Sequence, residues 1–348
     1  MNQKKRGQEL RDAVVQIFGG SRIGNGFLLH NKKYYVICPA DLVYPVQGEI
    51  HMIVPNVNGV NKSISYELTL HSLDIDGNLA VLVIDFESPF NKNNPHLMNH
   101  PSIKIGKSHN IHPGDSVGII GNTIFSDKFD SSIISSATLI NNKYSLNDNS
   151  IKGGLLLIDT TLGKYAHGLA IIDSNNKLIG IQIKSSDLMI VISEFFMRRP
   201  LKAMLNFDQS DKYQEFIIIK DGIRFYQHSC LGVKLTIDDQ AQISQVTTPS
   251  VSSGDIKRIS QEIIGYKILE INSQSELLDK LSLSDIITHI NDTPLGIKKG
   301  QSCIANILWK IVPGTEIKIT YLKYDQSYKY YNNILAKTLD SPLEDGFI

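Results

Sequence analysis

Short apolar runs, separated by turns rich in Gly, Asn, Asp and Ser, dominate the chain from about residue 13 to residue 192. Clear examples are residues 14–18, 34–38, 79–86 and 177–183, each bounded by polar or glycine-containing segments. Helical periodicity is nearly absent over this part of the chain. Many short strands with frequent turns are typical of a barrel or a sandwich, so the pattern predicts a mainly β first domain.

The pattern changes after residue 192, which predicts a domain boundary. Residues 193–205 carry apolar side chains at a spacing that fits one helix face, although Pro200 interrupts it. A polar stretch follows, and then a second β-rich unit that contains an amphipathic helical pattern at residues 301–311. We therefore predict a first domain over residues 1–200, a linker over 201–222, a second domain over 223–340 and a tail over 341–348.

Charge and composition narrow the classes of partner. Lys+Arg 35 balances Asp+Glu 35, so the formal net charge of zero gives no general attraction to nucleic acid or to anionic lipid. No apolar run approaches the length of a membrane span, and the N-terminal residues lack the apolar core of a signal peptide. The three cysteines lie in apolar stretches. We expect an intracellular, reducing compartment: the cytoplasm, or a virion or viral factory if the source is a large DNA virus.

Five segments carry a family resemblance over about 180 residues. Gly24-Asn25-Gly26-Phe27-Leu28 follows a first strand, and the other four segments are residues 35–43, 74–84, 112–122 and 159–181. In this order they resemble the opening hairpin, the three catalytic segments and one connecting strand of the HtrA family of trypsin-like serine proteases. The resemblance implies a chymotrypsin/trypsin-like double β-barrel.

The same resemblance places the three triad positions on unexpected residues. The position of the catalytic His falls on Asp41, that of the orienting Asp on Asn78, and that of the nucleophilic Ser on His167. The turn that forms the oxyanion hole in the family becomes Tyr165-Ala166-His167. Imidazole cannot form the acyl-enzyme of the serine mechanism, and a carboxylate is a poor base toward an alcohol at neutral pH. These replacements predict a proteolytically inactive relative, not an enzyme.

Two interpretations of this altered cleft stay open. Asp41 and His167 face each other in the family geometry, so they form a hydrogen-bonded pair, or they remain two exposed polar residues that never meet. Cys38 is expected to be a buried thiol rather than a replacement nucleophile. His96, His100, His109 and His112 are interrupted by prolines and are interpreted as loop histidines. No metal and no cofactor are expected.

A second resemblance covers about residues 225–339. Cys230-Leu231-Gly232-Val233-Lys234-Leu235, residues 281–295 and the helical pattern with the following Pro313-Gly314 resemble the PDZ domains that follow HtrA proteases. Such domains bind an extended peptide by β-augmentation. The resemblance implies peptide contacts at Leu231, Gly232, Val233, Lys234, Ile304 and Leu308. A groove that is filled, or used only for packing, is the alternative.

The sequence therefore predicts a non-catalytic protein that binds or scaffolds other proteins through its PDZ-like groove and its altered barrel cleft. The expected partners are protein C-termini or extended peptides, without nucleic acid or membrane insertion. A homo-oligomer, by resemblance a trimer, is expected. Two alternatives remain: an active HtrA-like endopeptidase with a rearranged site, and a structural or regulatory subunit of a larger assembly.

Overall fold

The computed structural model describes residues 9–31, 33–45, 48–54, 63–94, 97, 100–122, 132–144, 155–160, 162, 166–185, 188–207, 211–230, 233–238, 265–295, 304–308, 310–323 and 331–340. These residues form two compact units, the first ending at Tyr226 and the second beginning at Gln227.

Strands make up most of the regular structure in the described residues. The first unit contains β1 (Val14–Gly19), β2 (Arg22–Asn31), β3 (Lys33–Cys38), β4 (Ile50–Val54), β5 (Ile64–Asp74), β6 (Leu79–Ile84), β7 (Ser116–Asn122), β8 (Ser132–Tyr144), β9 (Leu155–Asp159), β10 (Ala170–Ile172), β11 (Leu178–Ser185), β12 (Met189–Ser193), helix α1 (Glu194–Asn206), β13 (Ile217–Lys220) and β14 (Ile223–Tyr226). The second contains β15 (Ser229–Cys230), β16 (Val233–Asp238), β17 (Gly265–Ile271), β18 (Ile286–Ile290), β19 (Thr293–Pro294), helix α2 (Ile304–Leu308), β20 (Glu316–Leu322), β21 (Tyr331–Lys337) and β22 (Leu339–Asp340).

The first six strands form a closed barrel. The strand order is β5-β4-β1-β2-β3-β6, and pairing of β5 with β6 closes the ring. Apolar side chains that alternate along the strands fill the interior, among them Ile17, Leu28, Met52 and Tyr66. Closure leaves no unpaired edge in the wall of the barrel, so the backbone groups there are satisfied within the ring.

A second closed barrel follows, with the strand order β7-β8-β9-β12-β11-β10 and a final pairing of β10 with β7. Its core contains Ile119, Leu156, Ile179 and Val191. Helix α1 begins directly after β12. The two barrels confirm the trypsin-like double β-barrel that the sequence predicts.

The segment predicted as a linker, residues 201–222, differs from that prediction. Its first residues complete helix α1, and its last residues form β13, which pairs with β14 as a hairpin. The hairpin joins the first barrel because β14 pairs in parallel with β5. Phe216 and Tyr226 are buried and stack on each other, which explains why this stretch packs on the barrel instead of crossing solvent.

The main sheet of the second unit has the order β16-β17-β18-β20-β21, and β19 pairs with β18. Strands β15 and β22 form a separate pair. Its core includes Ile268, Ile290, Ile319 and the α2 residues Ile304 and Leu308. Together with the two barrels, this unit confirms the predicted fold class, a double β-barrel followed by a PDZ-like domain. None of the described helices is both long enough and apolar enough to cross a membrane.

The second barrel depends on a close approach at Gly180. A Cβ atom built there would lie 2.7 Å from Ile192 O and still closer to the Val191 side chain. We expect Gly180→Ala to lower the free energy of unfolding by about 1–3 kcal/mol, the usual cost of overpacking. Gly106→Ala is the matched control, because its nearest neighbour would be the Lys177 side chain at 3.0 Å. Urea denaturation should show a clearly smaller loss for the control, and equal losses would contradict the prediction.

Candidate functional site

Asp41 lies in a 3-10 turn, Ala40–Leu42, that follows the end of β3. Asn78, in the turn between β5 and β6, holds this turn in place: its carbonyl accepts from Ala40 N at 3.2 Å, and its Oδ1 accepts from Asp41 N at 3.0 Å. Arg22 of β2 adds a third support, because its Nη1 donates to the carbonyl oxygens of Asp41 and Tyr44, each at 2.7 Å. Asn78 therefore orients the main chain of Asp41 rather than an imidazole.

His167 lies on the loop that leads into β10 of the second barrel. Its carbonyl accepts two hydrogen bonds from Asn25 of the first barrel, from the backbone N at 2.8 Å and from Nδ2 at 2.9 Å. Gly168 follows with φ 74°, and a Cβ atom there would lie 2.7 Å from Asn25 O. Only glycine fits this close left-handed turn without strain.

The two residues meet across the junction between the barrels. His167 Nε2 lies 2.9 Å from Asp41 Oδ1, and the two side chains are 27% and 53% exposed. Of the two interpretations that the sequence leaves open, the structure shows the hydrogen-bonded pair. The three triad positions thus converge. Asn78 forms its hydrogen bonds with main-chain groups, whereas the Asp41 carboxylate forms one with the imidazole.

The pairing has a consequence for the imidazole. A carboxylate can only accept a hydrogen bond, so Nε2 of His167 carries the proton, and in the neutral ring Nδ1 keeps its lone pair. Nδ1 has no hydrogen-bond partner within the part of the chain that the structure describes. The half-exposed carboxylate of Asp41 and the imidazole of His167 thus form a group that can accept a proton at Nδ1.

The sequence did not reveal the residues that hold the His167 loop. Gln182 of β11 donates from Nε2 to Ala166 O at 3.1 Å and accepts from Leu169 N at 3.2 Å. Asn25 contacts the same loop from the other barrel, and both side chains are almost completely buried. A polar residue inside an apolar strand was the signal that could have identified Gln182, and the two flanking glycines were the signal for Asn25.

Other sequence-based candidates do not join the site. Cys38 is fully buried on β3, and this burial, with a smaller contribution from the Asp41 charge, raises the pKa of its thiol far above the usual range. Cys38 is therefore a core thiol, as predicted. Tyr165, the first residue of the turn that replaces the oxyanion-hole turn of the family, lies outside the described residues.

His100, one of the four histidines interpreted as loop residues, forms its hydrogen bond away from the Asp41–His167 pair. His100 is buried and its Nε2 lies 2.8 Å from Asp12 O, while burial lowers the pKa of its ring. His96 lies outside the described residues. Among the described residues, no group of three or more His, Cys, Asp or Glu side chains could hold a metal ion.

The predicted peptide-binding residues of the second unit are only partly described. Leu231 and Gly232 lie outside the described residues, whereas Val233 and Lys234 begin strand β16. Ile304 and Leu308 lie in the core of this unit with almost no exposed surface. That these two residues line a pocket for a bound peptide stays a prediction.

The Asp41–His167 pair is a partly exposed hydrogen-bonded pair, so it should contribute little to stability. We expect a double-mutant cycle of Asp41→Ala and His167→Ala to give a coupling energy of about 0.2–1 kcal/mol in urea denaturation, the range of exposed pairs. A coupling energy well above about 1 kcal/mol would contradict the prediction that this pair is weak.

Comparisons with known proteins support the fold. No protein-family model and no curated protein match the sequence. The HtrA-type protease AlgW with a decapeptide is similar along 99% of this chain and 100% of its own, with a TM-score of 0.65 and 15% identity. A serine endoprotease from Yersinia pestis matches over 98% and 99% of the two chains, with a TM-score of 0.60 and 16% identity. AlgW with a tripeptide gives a TM-score of 0.65 and 15% identity over 99% and 98%.

These comparisons correct one prediction. The sequence led us to conclude that the chain is not an enzyme, because all three triad positions are replaced. That conclusion is wrong as drawn, because the similar structures, which match over nearly the full length of both chains, are proteases. The chain therefore has the HtrA-like, trypsin-type fold.

Proposed function

We propose that the protein binds extended peptides, including protein C-termini, by adding them to strand β16 of the second unit. The observation that carries the proposal is the position of β16 at one end of the sheet, where β17 is its only partner among the described strands. The other side of β16 thus presents backbone N–H and C=O groups to which a further strand can pair.

The opposite edge of this sheet is less suited to a peptide. On β21, Lys280 Nζ donates to Leu335 O at 2.7 Å, and Lys337 N donates to Glu276 Oε2 at 3.1 Å. This second hydrogen bond is the largest cause of the lowered pKa of Glu276. Side chains of the 276–280 turn already occupy the groups that a peptide would need on β21, so β16 is favoured.

The similar structures support the same function. AlgW was solved with a decapeptide and with a tripeptide, so peptides bind a protein of this fold. Gly232 directly precedes β16, where a backbone free of a side chain would let a terminal carboxylate approach. The resemblance also implies a homo-oligomer, as a trimer. The three cysteines in apolar stretches favour an intracellular, reducing compartment.

Peptide binding can be measured by fluorescence polarisation. The probe is a library of fluorescein-labelled random peptides that end in an apolar residue, each with a free carboxylate or an amidated end. We expect binding of the free acids and a loss of binding on amidation, because an amide cannot use the backbone N–H groups that hold a carboxylate. Equal binding of both forms would contradict recognition of C-termini, and binding of neither would contradict the proposal.

Thr236→Pro and Ile237→Pro locate the binding edge. Adjacent residues of a strand direct their N–H groups to opposite sides, so one proline removes a hydrogen bond to β17 and the other removes only an outward donor. The variant that keeps the wild-type melting temperature should bind peptide about fivefold more weakly or worse, the effect of about 1 kcal/mol. Unchanged affinity in that variant would exclude the β16 edge.

Peptide hydrolysis is the second candidate function, and the Asp41–His167 pair favours it. In this mechanism Nδ1 of His167 takes a proton from water, and the oxygen attacks the peptide carbonyl. The proton then passes to the leaving nitrogen, so that a carboxylic acid and an amine result. Asp41 keeps the ring in the required tautomer.

Turnover of a fluorogenic peptide tests this candidate. We expect His167→Ala to reduce kcat/KM at least about 100-fold, the lower range for loss of a general base. His112→Ala, which removes an exposed histidine of the same unit, is the matched control and should leave turnover unchanged. Absence of turnover in the wild-type protein, or equal turnover in His167→Ala, would contradict hydrolysis by this pair.

A further inference from the structure

Asn25 connects the two barrels through one buried side chain. It is 1% exposed, and its Nδ2 donates to His167 O at 2.9 Å and to Asn122 O at 3.1 Å. Its Oδ1 accepts from Asn122 N at 2.6 Å, and its own backbone N donates to His167 O at 2.8 Å. Every one of these bonds joins β2 of the first barrel to a main-chain group of the second barrel.

Strand β2 also holds the turn that carries Asp41. Arg22, three residues before Asn25 on β2, donates to the carbonyl of Asp41. A strand rises about 3.3 Å per residue, so these two anchors are about 10 Å apart on one rigid element. Strand β2 thus fixes the Asp41 turn at one point and the His167 loop at another, and the distance between Asp41 and His167 follows from it.

We infer that Asn25 is a positioning residue for His167: it holds the main chain of the loop so that the imidazole reaches Asp41. The imidazole itself has one hydrogen bond in the described part of the chain, the one to Asp41. A partly exposed pair of this kind is too weak to fix a loop by itself. The buried amide is better suited, because hydrogen bonds in a buried site are stronger and costly to leave unmade.

Two glycines, Gly24 and Gly168, allow strand β2 and the His167 loop to lie very close together. A Cβ atom at Gly24 would lie 3.1 Å from His167 O, and one at Gly168 would lie 2.7 Å from Asn25 O. The loop therefore approaches β2 as closely as the backbone allows. Loss of the Asn25 side chain would leave Asn122 N and Asn122 O without this partner and would weaken the hold on His167.

This inference deepens the proposed hydrolytic site, but it can be tested without any activity. The chain has ten histidines, so His167→Ala identifies the His167 imidazole signal in a ¹⁵N-labelled sample by its disappearance. Asp41→Ala then gives the shift of the unpaired ring. We expect Asn25→Ala to move the His167 signal toward the position seen in Asp41→Ala, because the loop no longer holds the ring at Asp41.

Asn91 provides a matched control in the same unit. It is 0% exposed, its Nδ2 donates to Glu67 O and Asp85 O, and its Oδ1 accepts from Glu67 N. Asn91→Ala thus removes a buried amide with the same number and kind of side-chain hydrogen bonds. It should destabilise the fold by a similar amount while leaving the His167 signal in its wild-type position.

Three results would overturn the inference. The first is a His167 signal at its wild-type position in folded Asn25→Ala. The second is a shift of this signal in Asn91→Ala as large as that in Asn25→Ala. If Asn25→Ala does not fold, Asn25→Ser takes its place, since the shorter hydroxyl cannot reach both His167 O and Asn122. Failure of both Asn25 variants to fold, where Asn91→Ala folds, would be the third, because Asn25 would then hold the barrels together rather than position one ring. Peptide turnover plays no part in these readouts, so they fail independently of the proposed activity.

Discussion

The site depends on one constraint: the loop before β10 passes between two closed barrels, and its peptide groups must find hydrogen-bond partners there. Asn25 supplies them from the first barrel and Gln182 from the second. An unmade hydrogen bond in a buried position costs about 1–3 kcal/mol, so this loop has little freedom to move. The position of His167 follows from these main-chain contacts, and its bond to Asp41 is a result of them rather than their cause.

Because the hydrogen bonds that hold this site go to main-chain groups, the backbone geometry does not depend on the side chains at positions 41 and 167. Asn78 accepts from the backbone N of Asp41, so it maintains the turn without touching the imidazole. Arg22 and Asn25 act on main-chain carbonyls and are therefore indifferent to the side chains at positions 41 and 167. A carboxylate and an imidazole in these two positions meet at hydrogen-bond distance because the backbone holds them there.

The sequence predicted what depends on local pattern. Alternating apolar residues and turns indicated β-barrels, and motif order located Asp41, Asn78 and His167. It could not predict partners that are distant in the chain. Asn25 and His167 are 142 residues apart, and nothing in the local sequence tells which carbonyl a buried amide will meet. The hairpin β13–β14 was missed for the same reason: its pairing with β5 joins residues about 150 positions apart, and the polar segment before it is typical of a linker.

The modest strength of the Asp41–His167 bond bears on the proposed hydrolysis. Asp41 is 53% exposed, so water and salt screen the pair, and its net contribution is about 1 kcal/mol or less. A ligand group that displaces this bond therefore loses no more than about fivefold in affinity. A bond this weak would not by itself exclude a peptide carbonyl from the pair. If a peptide carbonyl enters, the loop stays in place because Asn25 and Gln182 hold it, and the basic Nδ1 remains available beside the ligand. Hydrolysis at this position therefore depends on whether water can reach Nδ1 of His167.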